Sequence, residues 1–183
     1  MRRIQEAQNY HLSPITYTLD PVKPYRQCVA VALLRPAFAC SPSGCEQLVE
    51  VLLVHKPRGA DDWQLPQGGI ESDETREHAA IRELSEEIGL ELPADQVFLT
   101  TTAVYQYDYP RSFVLKTHPP YRGQRVEFLG LRAPEGLRVT VDGDELDAHL
   151  WVLPHDLGKH IRRKEYLEFI GGVLATFTEK LTR

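Results

Sequence analysis

The sequence predicts an α/β domain built on a mixed β-sheet that helices cover on both faces. Two observations predict the sheet and a third the helices. Residues 28–34 (CVAVALL) and 48–54 (LVEVLLV) are short runs rich in β-branched residues, and further strand-like runs lie at 96–105, 124–131 and 150–152. The connection between the first two runs, RPAFACSPSGCEQ, carries Pro, Ser and Gly, so the pair reads as a hairpin. Two stretches place apolar residues at helical spacing: Ala80, Ile81, Leu84 and Ile88, then Tyr166, Phe169, Ile170, Val173, Leu174, Phe177 and Leu181. Strands interleaved with amphipathic helices call for a sheet with both faces covered.

Taken in order, the chain begins with a polar segment, residues 1–24, whose Pro14, Pro21 and Pro24 suggest an extended arm without assigned chemistry. Residues 25–183 read as one domain, because 183 residues of 42% hydrophobic composition bury a sizeable core without dividing. The net charge of −5 argues against a broadly basic surface, and DNA is not an expected partner. No run reaches the length of a membrane span. Three cysteines and an N-terminal stretch without an apolar core give neither a disulfide framework nor a secretory signal, so the expected compartment is the cytoplasm. Cys40 and Cys45 have C-x4-C spacing but no second Cys/His pair, and read as loop cysteines in preference to zinc ligands. The segment HKPRGADDWQLPQGG reads as a loop in which Trp63 either stacks on a base or packs as a buried structural ring.

The most informative stretch is 68–90, GGIESDETREHAAIRELSEEIGL, with six glutamates and two arginines. It opens on a predicted tight turn, Gln67-Gly68-Gly69, where two glycines allow positive φ and let backbone carbonyls approach a ligand. A helix follows, with Thr75 as N-cap, Glu77 in its first turn and Gly89 as its left-handed stop. Glu83, Glu86 and Glu87 lie off the apolar stripe and share a neighbouring face, on which Glu86 and Glu87 are expected to point to solvent. Like charges so placed repel, each i, i+4 pair costing about 0.2–0.5 kcal/mol. A hard divalent cation, Mg²⁺ or Mn²⁺, would neutralise them, since such ions take carboxylates, water and phosphate oxygens.

Gly68, Glu74, Arg82, Glu83, Leu84, Glu86, Glu87, Gly89 and Leu90 fill every defined position of G-x5-E-x7-R-E-U-x-E-E-x-G-U, with U a bulky aliphatic residue. In this the segment resembles the signature of the Nudix hydrolases. The resemblance implies an α/β/α sandwich around the mixed sheet, with the signature helix on one face and the terminal helix on the other. It also implies that Glu83, Glu86 and Glu87 bind the catalytic metals with a carbonyl of Gln67 or Gly68, while Glu74 and Arg82 form a structural pair. A guanidinium fork grips a carboxylate through two parallel hydrogen bonds, which agrees with that pairing.

Tyr25-Arg26, Trp63 to Gly69, Tyr107-Asp108-Tyr109-Pro110, Tyr121-Arg122-Gly123-Gln124 and Glu145-Leu146-Asp147 before Trp151-Val152 extend the likeness. They are similar to the dinucleoside polyphosphate hydrolases and to the RNA 5′-pyrophosphohydrolases. In both groups a late glutamate completes the metal site, and Glu145 occupies that place. The family's usual aromatic pair after Gly-Gln is replaced here by Arg125-Val126-Glu127-Phe128. The implied activity is metal-dependent attack of water on the polyphosphate bridge of a dinucleoside polyphosphate such as diadenosine tetraphosphate, with Glu83 as general base and Glu145 as its competitor. Removal of pyrophosphate from an RNA 5′ end is the alternative, and a non-catalytic nucleotide sensor a further one.

Arg26, Lys56, Arg58, Arg111, Lys116, Arg122 and Arg125 are candidate phosphate contacts, with Gln67 beside them. Tyr105, Tyr107, Tyr109 and Tyr121 read either as a base clamp or as half-core. Glu145 falls in the acidic turn RVTVDGDELDAHLWV, expected to stand away from the signature helix until cations draw it in.

Overall fold

The computed structural model describes residues 23–57, 63–117 and 119–182. The predicted arm at 1–24 and Arg58 fall almost wholly or wholly outside these residues. The fold is a seven-stranded mixed sheet between helices, as the sequence predicts.

Strand β1 (Tyr25–Ser41) is the centre of the sheet. Its side chains alternate between two cores. Val29, Val31 and Leu33 pack with Ala79, Ala80, Leu84 and Ile88 of helix α1 (Arg76–Ile88). Cys28, Ala30, Ala32 and Leu34 join Tyr166, Ile170, Val173, Leu174 and Phe177 of helix α3 (Lys164–Thr182) on the opposite face. A strand buried on both faces has no polar side, which is why CVAVALL reads as continuous apolar sequence. Each fully buried Val, Leu or Phe contributes about 1.5–3 kcal/mol relative to exposure.

On one edge β1 runs parallel to β6 (Gly123–Arg132), from Tyr25 opposite Gly123 to Leu34 opposite Arg132. On the other edge its first half pairs antiparallel with β4 (Gln67–Gly69) and its second half with β2 (Gly44–His55). The far end of β2 takes β3 (Trp63–Gln64) and β7 (Ala148–Val152), and β5 (Leu99–Asp108) pairs with β6.

Several expectations change. The hairpin is longer than predicted, because β1 runs on through Pro36 to Ser41. Beyond Leu34 its pairing with β6 has ended, so the missing Pro36 N–H interrupts no second ladder. That continuation sets Cys40 opposite Cys45, and the two form a disulfide, not a pair of free loop cysteines. The strand expected at 96–105 begins at Leu99 and continues to Asp108. The stretch read as loop before the signature contains β3 and β4, and residues 111–117 form an unpredicted helix, α2 (Arg111–Thr117). Among the described residues no helix is long and apolar enough to cross a membrane.

Candidate active site

Helix α1 owes its placement to its ends. Thr75 is the N-cap, its hydroxyl accepting the His78 N–H at 3.2 Å, and Glu77 supplies a negative charge to the first turn. Gly89, at φ 69°, ends the helix, with its N–H and that of Leu90 returned to Ser85 and Leu84 carbonyls at 3.0 Å. Burial of Ala79, Ala80, Leu84 and Ile88 fixes the rotation, which sets Glu83 against Gly68 and Glu87 on the Gln67 N–H of β4.

The strand that meets them is β4, and here the predicted turn is corrected. Gln67, Gly68 and Gly69 are extended and paired with β1, and neither glycine has positive φ. The glycines provide space, not conformational freedom. A Cβ on Gly68 would overlap the Glu83 carboxylate, and one on Gly69 would overlap the Arg26 guanidinium.

Arg82 is the hub of the acidic face. Its guanidinium donates to Glu74 at 2.5 and 3.4 Å, to Glu83 at 2.8 Å, to Glu86 at 3.3 Å and to the Gly69 carbonyl at 2.8 Å. Glu74 also accepts the Glu71 N–H at 2.9 Å, which ties the loop to the helix, and these hydrogen bonds hold its carboxyl below the usual range. Arg82 is correspondingly held further above its already high range.

Glu87 does not point to solvent. Its side chain is 2% exposed, accepts the Gln67 N–H at 2.9 Å and faces the Lys56 ammonium at 3.5 Å. Burial pushes its pKa up to about 7, against the opposing pull of Lys56 and the Gln67 N–H. Its burial follows from Glu87 standing at i+3 from Leu84 and i+7 from Ala80, on the edge of the buried stripe, where the Gln67 N–H of β4 meets it. Glu86 is exposed, as expected, with 61% of its side chain open.

Glu145 lines the same cavity of about 270 Å³ as Glu83, Glu86 and Glu87, together with Arg26, Cys28, Lys56, Gln67, Gly68, Gly69 and Gln124. Its loop is not the detached acidic turn expected. The Asp142 carboxylate accepts the N–H groups of Asp144, Glu145 and Leu146 at 2.9, 3.0 and 3.2 Å, and Leu146 is fully buried. Cys28 and Gln124, which sequence reading did not single out as site residues, line the wall because they neighbour Arg26 along and across the β1–β6 ladder.

Other candidates are engaged elsewhere. Arg122 grips Asp108 at 2.9 and 3.0 Å, and Arg125 donates to Glu127 at 2.6 Å. Tyr105 packs against Tyr166 and Phe169, and Tyr107 donates its hydroxyl to Gln124 at 2.7 Å while burial pushes its pKa up to about 12. Tyr121 is half-buried and, with Arg111 and Lys116 of α2, lies off the cavity wall. Trp63 packs between His55 and His160, at ring separations of 5.1 and 5.8 Å.

The cavity offers four carboxylates and a carbonyl-bearing strand, a hard-oxygen donor set that suits a divalent cation. Among the described residues no three acidic, His or Cys side chains are already gathered at ligating spacing. Glu83 and Glu86 each turn one carboxylate oxygen to Arg82, and Glu87 faces Lys56.

A family model for the NUDIX domain matches residues 33–170. The chain belongs to the Nudix family. Over 133 residues it is 35% identical to the RNA pyrophosphohydrolase of Hahella chejuensis (strain KCTC 2396), covering 70% of this chain and 75% of that protein. The RNA pyrophosphohydrolase of Francisella tularensis subsp. mediasiatica (strain FSC147) is also 35% identical, over 60% of this chain and 79% of its own. Among solved structures, a C. elegans Ap4A hydrolase binary complex superposes with a TM-score of 0.61 at 18% identity, over 86% of this chain and 98% of that one. The E. coli dihydroneopterin triphosphate pyrophosphohydrolase gives 0.59 at 18% identity, over 81% and 95%. At such identities the structures speak to the fold alone. This Nudix hydrolase is an enzyme of the phosphoanhydride-cleaving kind, and its family generally uses divalent cations.

Proposed function

We propose that this Nudix hydrolase removes pyrophosphate from the 5′ end of triphosphorylated RNA, with Mg²⁺ or Mn²⁺ held by Glu83, Glu86, Glu87 and Glu145. The observation that carries the reading is the state of the tyrosines. A dinucleoside polyphosphate has a base at each end to be held, yet Tyr105 is packed into the α3 core and Tyr107 is tied to Gln124, so that among the described residues no aromatic ring lines the cavity. A wall of carboxylates with Arg26 and Lys56 suits a polyphosphate and little else. The names of the 35%-identical relatives lend support.

When bound, divalent ions would neutralise phosphate oxygens and make a nucleophile of water near neutral pH. Arg26 and Lys56 bind the remaining phosphate charge. Arg82 fixes the Glu83 carboxylate above Gly68, where it receives the proton of the attacking water, with Glu145 in the same cavity as the competing base. The P–O bond to the leaving pyrophosphate breaks as the new P–O bond forms, leaving a 5′-monophosphate.

A substrate panel with Mg²⁺ or Mn²⁺ tests this, comparing triphosphorylated RNA, diadenosine tetraphosphate, ADP-ribose and nucleoside triphosphates. The RNA 5′ end should give the highest kcat/KM, and a clear preference for diadenosine tetraphosphate would reverse the assignment. Glu86→Gln should lower turnover at least ~10²-fold, the scale of a lost metal or proton-transfer group. Its melting temperature should hold, since Glu86 is exposed and its i, i+4 contact is with Arg82 alone among its salt bridges.

A further inference from the structure

We propose that His55 is a positioning residue that clasps Glu145 against the site through Asp147. The inference rests on the placement of Glu145 in the hydrolytic set.

His55 is the last residue of β2, and it holds Asp147 twice. The His55 Nδ1 lies 2.5 Å from Asp147 Oδ1, and the Asp147 N–H donates to the His55 carbonyl at 3.2 Å. The β2–β7 ladder begins at the next position, His55 opposite Ala148. Behind the imidazole stands Trp63, itself packed on His160, so the ring has a fixed backing. On the other side of Glu145, Leu146 is buried in the α1 core and the Gly143 N–H returns to the Leu146 carbonyl at 2.8 Å. Glu145 therefore lies in a short span between two anchors, the Asp142 carboxylate and the His55–Asp147 pair.

The span needs anchoring because Glu145 lines one cavity with three other acidic side chains. An exposed loop bearing such a residue would relax away from them. The residue after His55 is Lys56, whose ammonium faces Glu87. The end of one core strand thus holds the acidic loop through the His55–Asp147 pair, while the adjoining Lys56 reaches the signature helix. Side chains that orient reacting groups in this way typically contribute about 10–100-fold to activity.

The test uses the full chain and the variants His55→Ala, His55→Asn, Glu145→Gln and the His55→Ala/Glu145→Gln double. Asparagine places an N–H near the position of imidazole Nδ1, so it should keep the clasp. Amide hydrogen exchange reads the loop without any turnover: His55→Ala should speed exchange at 143–147 and leave α1 unchanged, and His55→Asn should restore protection. In turnover, His55→Ala should lower kcat at least ~10-fold with KM changed less than about 2-fold, and should add less than about 2-fold in the Glu145→Gln background. A purely structural role would multiply the two losses. Multiplicative losses, unchanged exchange at 143–147, or normal kcat in His55→Ala would each overturn the clasp. Should His55→Ala fail to fold, Asp147→Asn takes its place in the same cycle with the same expected and overturning results. A wild-type chain inactive on every phosphoanhydride would strike the functional reading instead, and exchange would still decide the clasp.

Discussion

Glu87 combines two demands that conflict. It lies at the junction of α1 and β4, where the Gln67 N–H needs an acceptor, yet a carboxylate with 2% exposure is costly to ionise. Its folded-state pKa of about 7 stands above the ordinary carboxylate value of 4.5. The sign follows: folding binds the proton more tightly, so the favourable contribution is complete below pH 4.5 and is lost as pH rises through about 7. With cations chelated, Glu87→Gln should therefore melt higher than the wild type at pH 8, by on the order of 1–3 kcal/mol, and the gap should close by about pH 4. Lys56, left without its partner, reduces the gain. Denaturation in EDTA at the two pH values checks this, and a Glu87→Gln variant less stable than wild type at pH 8 would contradict it. The same substitution should abolish turnover, which separates what the residue does for the fold from what it does for the site.

At the scale of elements, two glycines are in crowded places for different ends. A Cβ on Gly68 meets the far end of a flexible Glu83 side chain, whereas a Cβ on Gly130 of β6 meets the Phe177 ring in the α3 core. Gly68→Ala should leave the melting transition nearly in place and lower kcat at least ~10-fold by moving a carboxylate about 1 Å or more. Gly130→Ala should do the reverse, costing about 1–3 kcal/mol through overpacking with kcat in the folded fraction unchanged. Paired melting and kinetic measurements test both; equal melting losses would refute the distinction. The same contrast explains what was legible beforehand. β1 could be read because burial on both faces makes it a continuous apolar run, and α1 and α3 because burial of one face imposes a period of 3.6. Helix α2 could not, since it has no buried residue and leaves Phe113 and Leu115 exposed. The hairpin tip was hidden by Pro36 and Gly44, which punctuate a ladder here instead of ending it. The glutamate positions were legible from their pattern, but the partners that set Glu87 and Glu145 come from β4, the end of β2 and the turn at Asp142, distant in sequence or encoded only as backbone donors.

For the whole molecule, charge limits how substrate is held. The chain carries 21 Lys and Arg against 26 Asp and Glu, a net −5, so an RNA chain meets mostly repulsion away from the cavity. Two arginines that sequence alone would aim at phosphates are committed within the fold: Arg122 to Asp108 and Arg125 to Glu127. Among the described residues Arg26 and Lys56 are the cations lining the cavity, and in the proposed reading both serve the polyphosphate end. Each phosphate neutralised on a single strand contributes a slope of about −0.7 to the dependence of log affinity on log salt. A protein that tracked a long RNA backbone would therefore show a steep slope that grows with RNA length. This one should show a shallow slope, about −1 to −2, that is the same for a short triphosphorylated oligonucleotide as for one several times longer. The measurement is kcat/KM for both lengths between low and moderate NaCl at constant free Mg²⁺. Equal slopes and near-equal rates place recognition at the 5′ end alone. A long substrate with a markedly steeper slope would mean that cations outside the cavity engage the chain.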